Sequence, residues 1–587
     1  MNSKKYKDSL YNFREITDLR DMLVSSVHLY SEKDAYLVKR VKGGEYEPIK
    51  YRQVLQEVNA LGTALIDMGL AGTKIAVIGE NSYEWVLAYL AVACGVGVIV
   101  PLDRELPQEE IANLLARSEA SAVFYSKKLA TQVKEAEELL ETPLKYNVCK
   151  CSCDEFAEVS AEMAGLAPQN LCLEELIEKG KKLVEAGDRR FIDAKINPDL
   201  MCALLFTSGT TGLAKGVMLS HKNITANVYN MSKYVNIPPD DFGLSVLPMH
   251  HSYELTCHIF TGIYQGMTIA ICEGLKSILK NMQEAPAGVM LGVPLIFEAI
   301  HRRIMKQAMT LGKYNKLRKA IAVSKKLKLY NHPKIVKAMF KDIHETFGGH
   351  MNLFIAGGAA IDPTVIEDMQ AMGIPMIQGY GMTENAPIIA VNKDRYSKPA
   401  AAGLPMPGTE VRIVDQDKNG VGEIICKGPS VMLGYYNNTE ETNEVLKDGW
   451  LYTGDYGYFD RDGFLYVCGR KKSVIVTKNG KNIFPEEVEF YLSQSPYIIE
   501  CLVHGFEDEK SGDIVVKAEV FLDDEAIETA MGKKPTEEER VSFIKAEIDK
   551  INDKMPIYKK VKRFNIREEE FEKTTSRKIK RFSPKNA

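Results

Sequence analysis

Short apolar runs alternate along most of the chain with longer segments in which apolar residues recur at helical spacing. Ile75–Ile78, Gly97–Val100, Ala122–Tyr125 and Ile269–Ile271 are such runs. Apolar runs of this length between amphipathic helices predict parallel strands covered on both faces, where no side chain needs to meet water. The pattern therefore predicts an α/β protein whose large, multi-lobed N-terminal domain holds parallel-rich sheets. Some antiparallel strand is expected near Val411 to Cys426. The longest apolar stretch, Trp85 to Leu102, is broken by small residues and by Pro101. It predicts a buried helix followed by a buried strand, not a membrane span.

The texture changes after Gly469. The charged run Arg470-Lys471-Lys472 suits an exposed linker. Pro485, followed by Glu486, Glu487 and Glu489, predicts a helix start, because proline fits the first helical position and acids fit the positive end of the helix dipole. Thr536-Glu537-Glu538-Glu539 has capping-box spacing and predicts a second helix start. These signals place a small α+β domain at 471–587, after a domain at 1–470. A length of 587 residues calls for more than one hydrophobic core in any case.

Composition narrows the class. Apolar residues make up 45% and charged residues 26%, as in ordinary globular proteins, and the net charge of −4 carries no signature of nucleic-acid binding. The N-terminus has basic residues but no apolar h-region, so it does not read as a secretory signal. Eleven cysteines lie scattered through apolar stretches, which fits free thiols in a reducing cytoplasm. The cluster Cys149, Cys151, Cys153 matches no common zinc spacing and reads as a reduced surface loop, with a soft-metal site as the alternative. Charge is uneven: residues 302–341 hold thirteen Lys/Arg and no Asp/Glu, leaving −17 on the remainder. Ile304, Met305, Met309, Leu317, Ile321 and Leu329 are interleaved with these cations. A basic amphipathic segment can lie on an anionic membrane as a peripheral contact; a solvated face and an acidic partner are the alternatives.

The chemistry concentrates in a few segments. Leu204–Phe206 runs like a strand into Thr207-Ser208-Gly209-Thr210-Thr211-Gly212-Leu213-Ala214-Lys215. Glycines let backbone N–H groups converge on an anion, hydroxyls add donors, and Lys215 adds charge, a set suited to a polyphosphate. The order of residues is not that of a Walker A loop, in which lysine precedes Ser or Thr. Leu353–Ala356 leads into Gly357-Gly358-Ala359-Ala360, with Asp362 and Pro363 as N-cap and first helical residue. Gln378-Gly379-Tyr380-Gly381-Met382-Thr383-Glu384, Tyr452-Thr453-Gly454-Asp455, Leu247–Glu254 with His250 and His251, and the terminal Glu572–Arg581 complete the set.

In this order, from about residue 50 to 581, these segments resemble the adenylate-forming superfamily of acyl-CoA synthetases, luciferases and peptide-synthetase adenylation domains. The resemblance implies ATP, Mg²⁺ and coenzyme A as ligands and a carboxylic acid as substrate. It places Thr207, Ser208, Gly209, Thr210, Thr211, Gly212 and Lys215 on the phosphates. It sets Gly357, Gly358 and Ala359 against the adenine, packs Tyr380 on it, adds Gln378, Gly379 and Gly381 to the ATP site, and puts Thr383 at the α-phosphate. Glu384, with Thr207, would hold the metal, and a carboxylate suits Mg²⁺. Asp455 would take both ribose hydroxyls, which a carboxylate does well, and Arg470 would complete the nucleotide pocket. His251 falls at the acyl pocket, and Lys578 is the catalytic lysine. The small C-terminal domain is expected to be mobile, hinged at Lys472, with Lys478, Asn479 and Gly480 serving the thiol step. Two departures stand out: Ala214 replaces a usual proline and Arg577 a usual glycine, and neither removes a reacting group.

Within the superfamily, Leu247-Pro248 with His251 and Glu254, and Val293–Glu298 followed by the basic segment, resemble long-chain fatty acyl-CoA synthetases. The expected reaction is acid activation to acyl-AMP with loss of pyrophosphate, then thioester formation with coenzyme A, in a cytoplasmic enzyme. Three competing readings stay open. One is an acyl-AMP ligase loading an acyl carrier protein. Another is a non-catalytic nucleotide-binding protein of this fold. The third is a kinase or motor, which would yield ADP.

Overall fold

The computed structural model describes residues 9–207, 214–477, 481–508, 513–573 and 579–586. Contacts divide the chain into two compact units, Met1–Val411 with Cys426–Leu451, and Arg412–Ile425 with Tyr452–Ala587.

Two large sheets frame the first unit. One has eight strands in the order Gly434–Tyr435, Lys215–Ser220, Met201–Thr207, Val98–Leu102, Lys74–Ile78, Ala120–Tyr125, Tyr146–Cys149 and Gln169–Cys172. From Met201–Thr207 onward all neighbours are parallel, and the two pairings before it are antiparallel. The other sheet has nine strands. Six central ones, from Met376–Gly381 to Asp34–Val38, run parallel between antiparallel edges. Strands Thr268–Ile271, Val289–Gly292 and Leu353–Ala356 are buried at every position, which is why their sequences show no alternation.

The stretch around Trp85 folds as expected. Helix Tyr83–Ala91, capped by Ser82, passes through a π turn at Val92–Val96 into strand Val98–Leu102. Among the described residues, no helix is long and apolar enough to cross a membrane.

In the second unit, strands Gly422–Lys427, Trp450–Phe459 and Leu465–Arg470 lie in one sheet. The hairpin that ends at Arg470 thus shares its contacts with the C-terminal segments, so the contact division falls ahead of residue 471. Beyond it, strands Ile498–Glu507, Ile514–Leu522 and Val561–Arg567 form a second sheet. Helices Pro485–Ser493 and Glu537–Asn552 pack on it through Val488, Leu492, Ile544 and Ile548. Pro485 is the first helical residue, and Thr536 and Glu539 form the reciprocal capping box.

The basic segment is three helices, Pro294–Thr310, Tyr314–Leu327 and Pro333–Met339. The buried carboxylate of Asp368 on helix Pro363–Ala371 gathers His301 at 3.0 Å, Arg318 at 2.7 Å and Lys325 at 2.9 Å. The cations beside it hold that carboxyl at about 2 despite burial. Two of the thirteen cations therefore anchor the segment, while Arg302, Arg303, Lys306, Lys316, Lys319 and Lys326 are exposed.

His221 gives the first unit a pH dependence. It is 5% exposed, and the Leu19 N–H donates to its Nδ1 at 3.3 Å. Burial lowers its pKa to about 4. The unfolded chain then binds the extra proton first, so stability is lost as pH falls from about 6.5 towards 4, at about 1.4 kcal/mol per pH unit. Urea midpoints at pH 7 and pH 5 are expected to show this decline, and His221→Asn should flatten it. An unchanged slope in the variant would remove His221 as the cause.

Candidate active site

In the first unit, the strand pair Met201–Thr207 and Lys215–Ser220 sets Thr207 opposite Lys215. Antiparallel pairing brings both ends of the intervening loop together, so the hydroxyl and the ammonium share one strand end. Thr207 Oγ1 lies 3.5 Å from the Lys215 carbonyl, a weak contact for a hydroxyl. Lys215 Nζ is 2.8 Å from Glu441 Oε1 and 5.1 Å from the centroid of the Tyr435 ring. Tyr435 sits on the short strand that pairs with Lys215–Ser220, opposite Val217. Its hydroxyl donates to Glu384 Oε1 at 2.9 Å. One tyrosine thus touches the lysine with its face and the carboxylate with its hydroxyl.

Glu384 is 9% exposed and lies in a single turn, Thr383–Asn385, after strand Met376–Gly381. A side chain at Gly381 would collide with the Pro387 carbonyl, so only glycine lets the chain fold back this closely. Gln378 is fixed by its amide donating to the Pro399 carbonyl at 2.6 Å, while its own carbonyl accepts from Asn392. Tyr380 pairs with Ala390 and is half-buried. Gly379 packs against the Ala390 carbonyl.

Segment 250–254 ties two of the motifs together. Ser252 Oγ and Thr383 Oγ1 are 3.3 Å apart. The Tyr253 hydroxyl donates to the Ile355 carbonyl at 3.0 Å, and its ring fills the place of a Gly357 side chain. Gly357 is buried, while Gly358, at φ 84°, and Ala359 are exposed. His251 caps the turn Ser252–Glu254, with its ring 4.1 Å from that of His250. Burial lowers the pKa of both imidazoles, and for His250 the neighbouring His251 adds to it. Both are therefore neutral at pH 7. Beneath them Glu254 accepts from Ser245 at 2.6 Å and lies 2.9 Å from His258, all fully buried. Glu254 is thus a structural anchor for the helix that carries this motif.

In the second unit, Asp455 and Arg470 face each other across the hairpin, with Nε 2.9 Å from Oδ1. Asp455 is 5% exposed, and its N–H donates to Thr453 Oγ1, which itself donates to the Ile424 carbonyl. Lys472 lies exposed in the turn Lys471–Ser473. The flanks of the terminal lysine segment are firmly held. Lys573 pairs with Glu500 and bridges to Ile579. Lys580 pairs with Glu572, and Arg581 grips both oxygens of Glu489 at 2.7 and 2.8 Å and the Val503 carbonyl at 2.7 Å. Ser208, Gly209, Thr210, Thr211, Gly212, Lys478, Asn479, Gly480 and Lys578 lie outside the described residues.

Motif reading passed over Tyr435 and Glu441, which stand in no segment that signals chemistry by itself, and gave no role to Ser252 and Tyr253 within Leu247–Glu254. Glu384 and Thr207 offer a carboxylate and a hydroxyl, hard oxygens that fit Mg²⁺. Among the described residues no three His, Cys, Asp or Glu side chains converge as a metal cluster.

The fold is thus two parallel-rich sheets in one unit plus a smaller α+β unit, with these segments at the strand ends. Residues 25–436 match the family described as AMP-binding enzyme, and residues 472–583 match the AMP-binding enzyme C-terminal domain. The chain belongs to the AMP-binding enzyme family. It is similar to fatty acyl-CoA synthetase B of Dictyostelium discoideum, 27% identical over 84% of this chain and 75% of that one. It is also similar to the peroxisomal long chain acyl-CoA synthetase 7 of Arabidopsis thaliana, 28% identical over 84% and 72%. Among solved structures, the anthranilate CoA ligase AuaEII in complex with anthranoyl-AMP shares the fold, with a TM-score of 0.75 and 20% identity over 99% of this chain and 98% of that one.

Proposed function

We propose that this chain joins a long-chain fatty acid to AMP at the expense of ATP, releasing pyrophosphate, and then passes the acyl group to the thiol of coenzyme A. The observation that carries this reading is the gathering of Lys215 and Glu384 on Tyr435, beside Thr207, at the end of one strand pair. A cation, a carboxylate and a hydroxyl grouped at the end of a glycine- and threonine-rich loop suit a charged polyphosphate. The names of the relatives support the fatty acid and coenzyme A.

In this reading the acid's carboxylate is the nucleophile and needs no general base. Catalysis is positioning plus neutralisation of phosphate charge. Lys215 and residues 208–212 bind the phosphates, and Thr383 bears on the α-phosphate. Lys578 holds the acid's carboxylate against that phosphate. Glu384 and Thr207 would hold Mg²⁺, which supplies further neutralisation of phosphate charge when bound. Tyr380, Gln378, Gly379, Gly381 and 357–359 form the adenine wall, while Asp455 and Arg470 take the ribose. Neutral His251 lines the acyl side. Turning at Lys472 would then exchange Lys578 for Lys478, Asn479 and Gly480, which serve the thiol step.

A panel of carboxylates in ATP–pyrophosphate exchange, repeated with coenzyme A, tests this. Exchange is expected to be strongest with long-chain acids, and acyl-CoA and AMP to form together. ADP as product, or exchange without any acyl-CoA, would sink the proposal. Transfer to a phosphopantetheinyl carrier in place of coenzyme A would favour the carrier-loading reading.

The substrate suggests where the enzyme works. The basic helices expose Met309, Leu311, Leu327 and Ile335, each more than half exposed, among cations that are not engaged by Asp368. Apolar side chains beside clustered cations suit an anionic lipid surface, where each cation contributes about 1 kcal/mol. Replacing Lys316, Lys319 and Lys326 by Gln is expected to weaken sedimentation with phosphatidylserine vesicles about fivefold per cation. Equal binding by wild type and variant would count against docking.

A further inference from the structure

Outside this site, one cluster of nucleophilic side chains stands apart. Strand Gln169–Cys172 is an edge of the eight-stranded sheet, and its parallel register with Tyr146–Cys149 sets Cys149 beside Cys172. Two residues past Cys149 lies Cys151, half-buried, whose carbonyl accepts the Cys172 thiol at 3.4 Å. Cys153 opens helix Cys153–Glu162 and is exposed. Its sulfur lies 3.8 Å from that of Cys172. The sequence read 149–153 as a reduced surface loop; instead Cys149 closes a buried strand, and only Cys153 faces water fully.

We infer that Cys153 and Cys172 are an oxidisable dithiol, which a small-molecule disulfide of the glutathione class closes into a cross-link. Sulfurs 3.8 Å apart need move less than about 2 Å to reach bonding distance. Access dictates the order of events, because Cys172 is buried and Cys153 is not. The Cys153 sulfur attacks the oxidant's disulfide, forming a mixed disulfide and releasing one small thiol, which carries away a proton. The Cys172 sulfur then attacks Cys153 Sγ. The second small thiol leaves with the second proton, so the protein loses two electrons and two protons and the oxidant gains them. Glu174 bounds the pair: its Oε2 accepts the Cys153 N–H at 2.9 Å and so fixes the start of the helix against helix Leu173–Glu185. The carboxylate also keeps the thiol protonated, raising Cys153 to about 12, so closure is slow unless oxidant is in excess. The cross-link would tie the edge strand to the helix before it, on the far side of the sheet from Thr207 and Lys215.

The test is incubation of the full chain with excess oxidised glutathione, then alkylation in denaturant, peptide mapping and intact mass. The expected result is loss of two of the eleven thiols, a mass lower by two hydrogens, and a peptide pair joining 153 to 172. Cys172→Ser should stop at a glutathione adduct on Cys153, and Cys153→Ser, an exposed and mild change, should leave Cys172 free. A stable adduct on Cys153 in the wild type, or closure through Cys151 instead, would overturn the inference.

Discussion

Alanine in place of Lys578 is expected to stop acyl-adenylate formation while sparing transfer of a supplied acyl-adenylate to coenzyme A. The first step must bring an anionic carboxylate up to an anionic phosphate, and a cation placed between them acts most strongly when the attack is under way. Loss of one such group from a preorganised site costs roughly a hundred- to a thousandfold in rate. The second step presents a neutral carbonyl to a thiol and has no need of that charge. The described residues on either side are anchored: Arg581 on Glu489, Lys580 on Glu572 and Lys573 on Glu500. Separate assays of the two half-reactions check it. Equal losses in both would show that Lys578 serves folding or coenzyme A and not the phosphate.

Glu384→Gln is expected to have the next largest effect, about a hundredfold lower exchange rate, with saturation shifted to higher Mg²⁺. Glutamine keeps the size of the side chain and can still accept from the Tyr435 hydroxyl, so the turn should hold. What it loses is the negative charge that a hard cation prefers. Tyr435→Phe separates the two roles: it removes the hydroxyl and leaves the charge, and should cost far less. Exchange rates over a magnesium titration give the answer. If the amide variant matches wild type at all concentrations, Glu384 is not a metal ligand.

How much of this could be read in advance depends on whether a residue's role is local. Pro485, Thr536 and Asp362 start helices through groups within one turn of themselves, and each does so where the sequence placed it. The apolar run Ile269–Ile271 announces a buried strand because both of its faces are covered. Gly381 and Gly357 stand out in sequence, yet the reasons they must be glycine, the Pro387 carbonyl and the Tyr253 ring, come from elsewhere in the chain. Tyr435 reaches Lys215 and Glu384 only because a two-residue strand far downstream joins the edge of a sheet. Asp368 is equally silent in sequence, though it anchors the basic helices, since a buried acid looks like any other until its cations arrive. Residues that act through sheet register or tertiary packing leave no periodic trace.

Glu441 has a consequence for how nucleotide enters. Its carboxylate already occupies Lys215, at 2.8 Å. Under the proposed role, an incoming triphosphate does not meet an idle cation but displaces a resident anion, so binding is an exchange of counterions. Removing the resident charge, as in Glu441→Gln, should then tighten ATP while making the loop less choosy among phosphates. The same swap lets pyrophosphate depart, because the carboxylate waits to reclaim the lysine once the reaction has run.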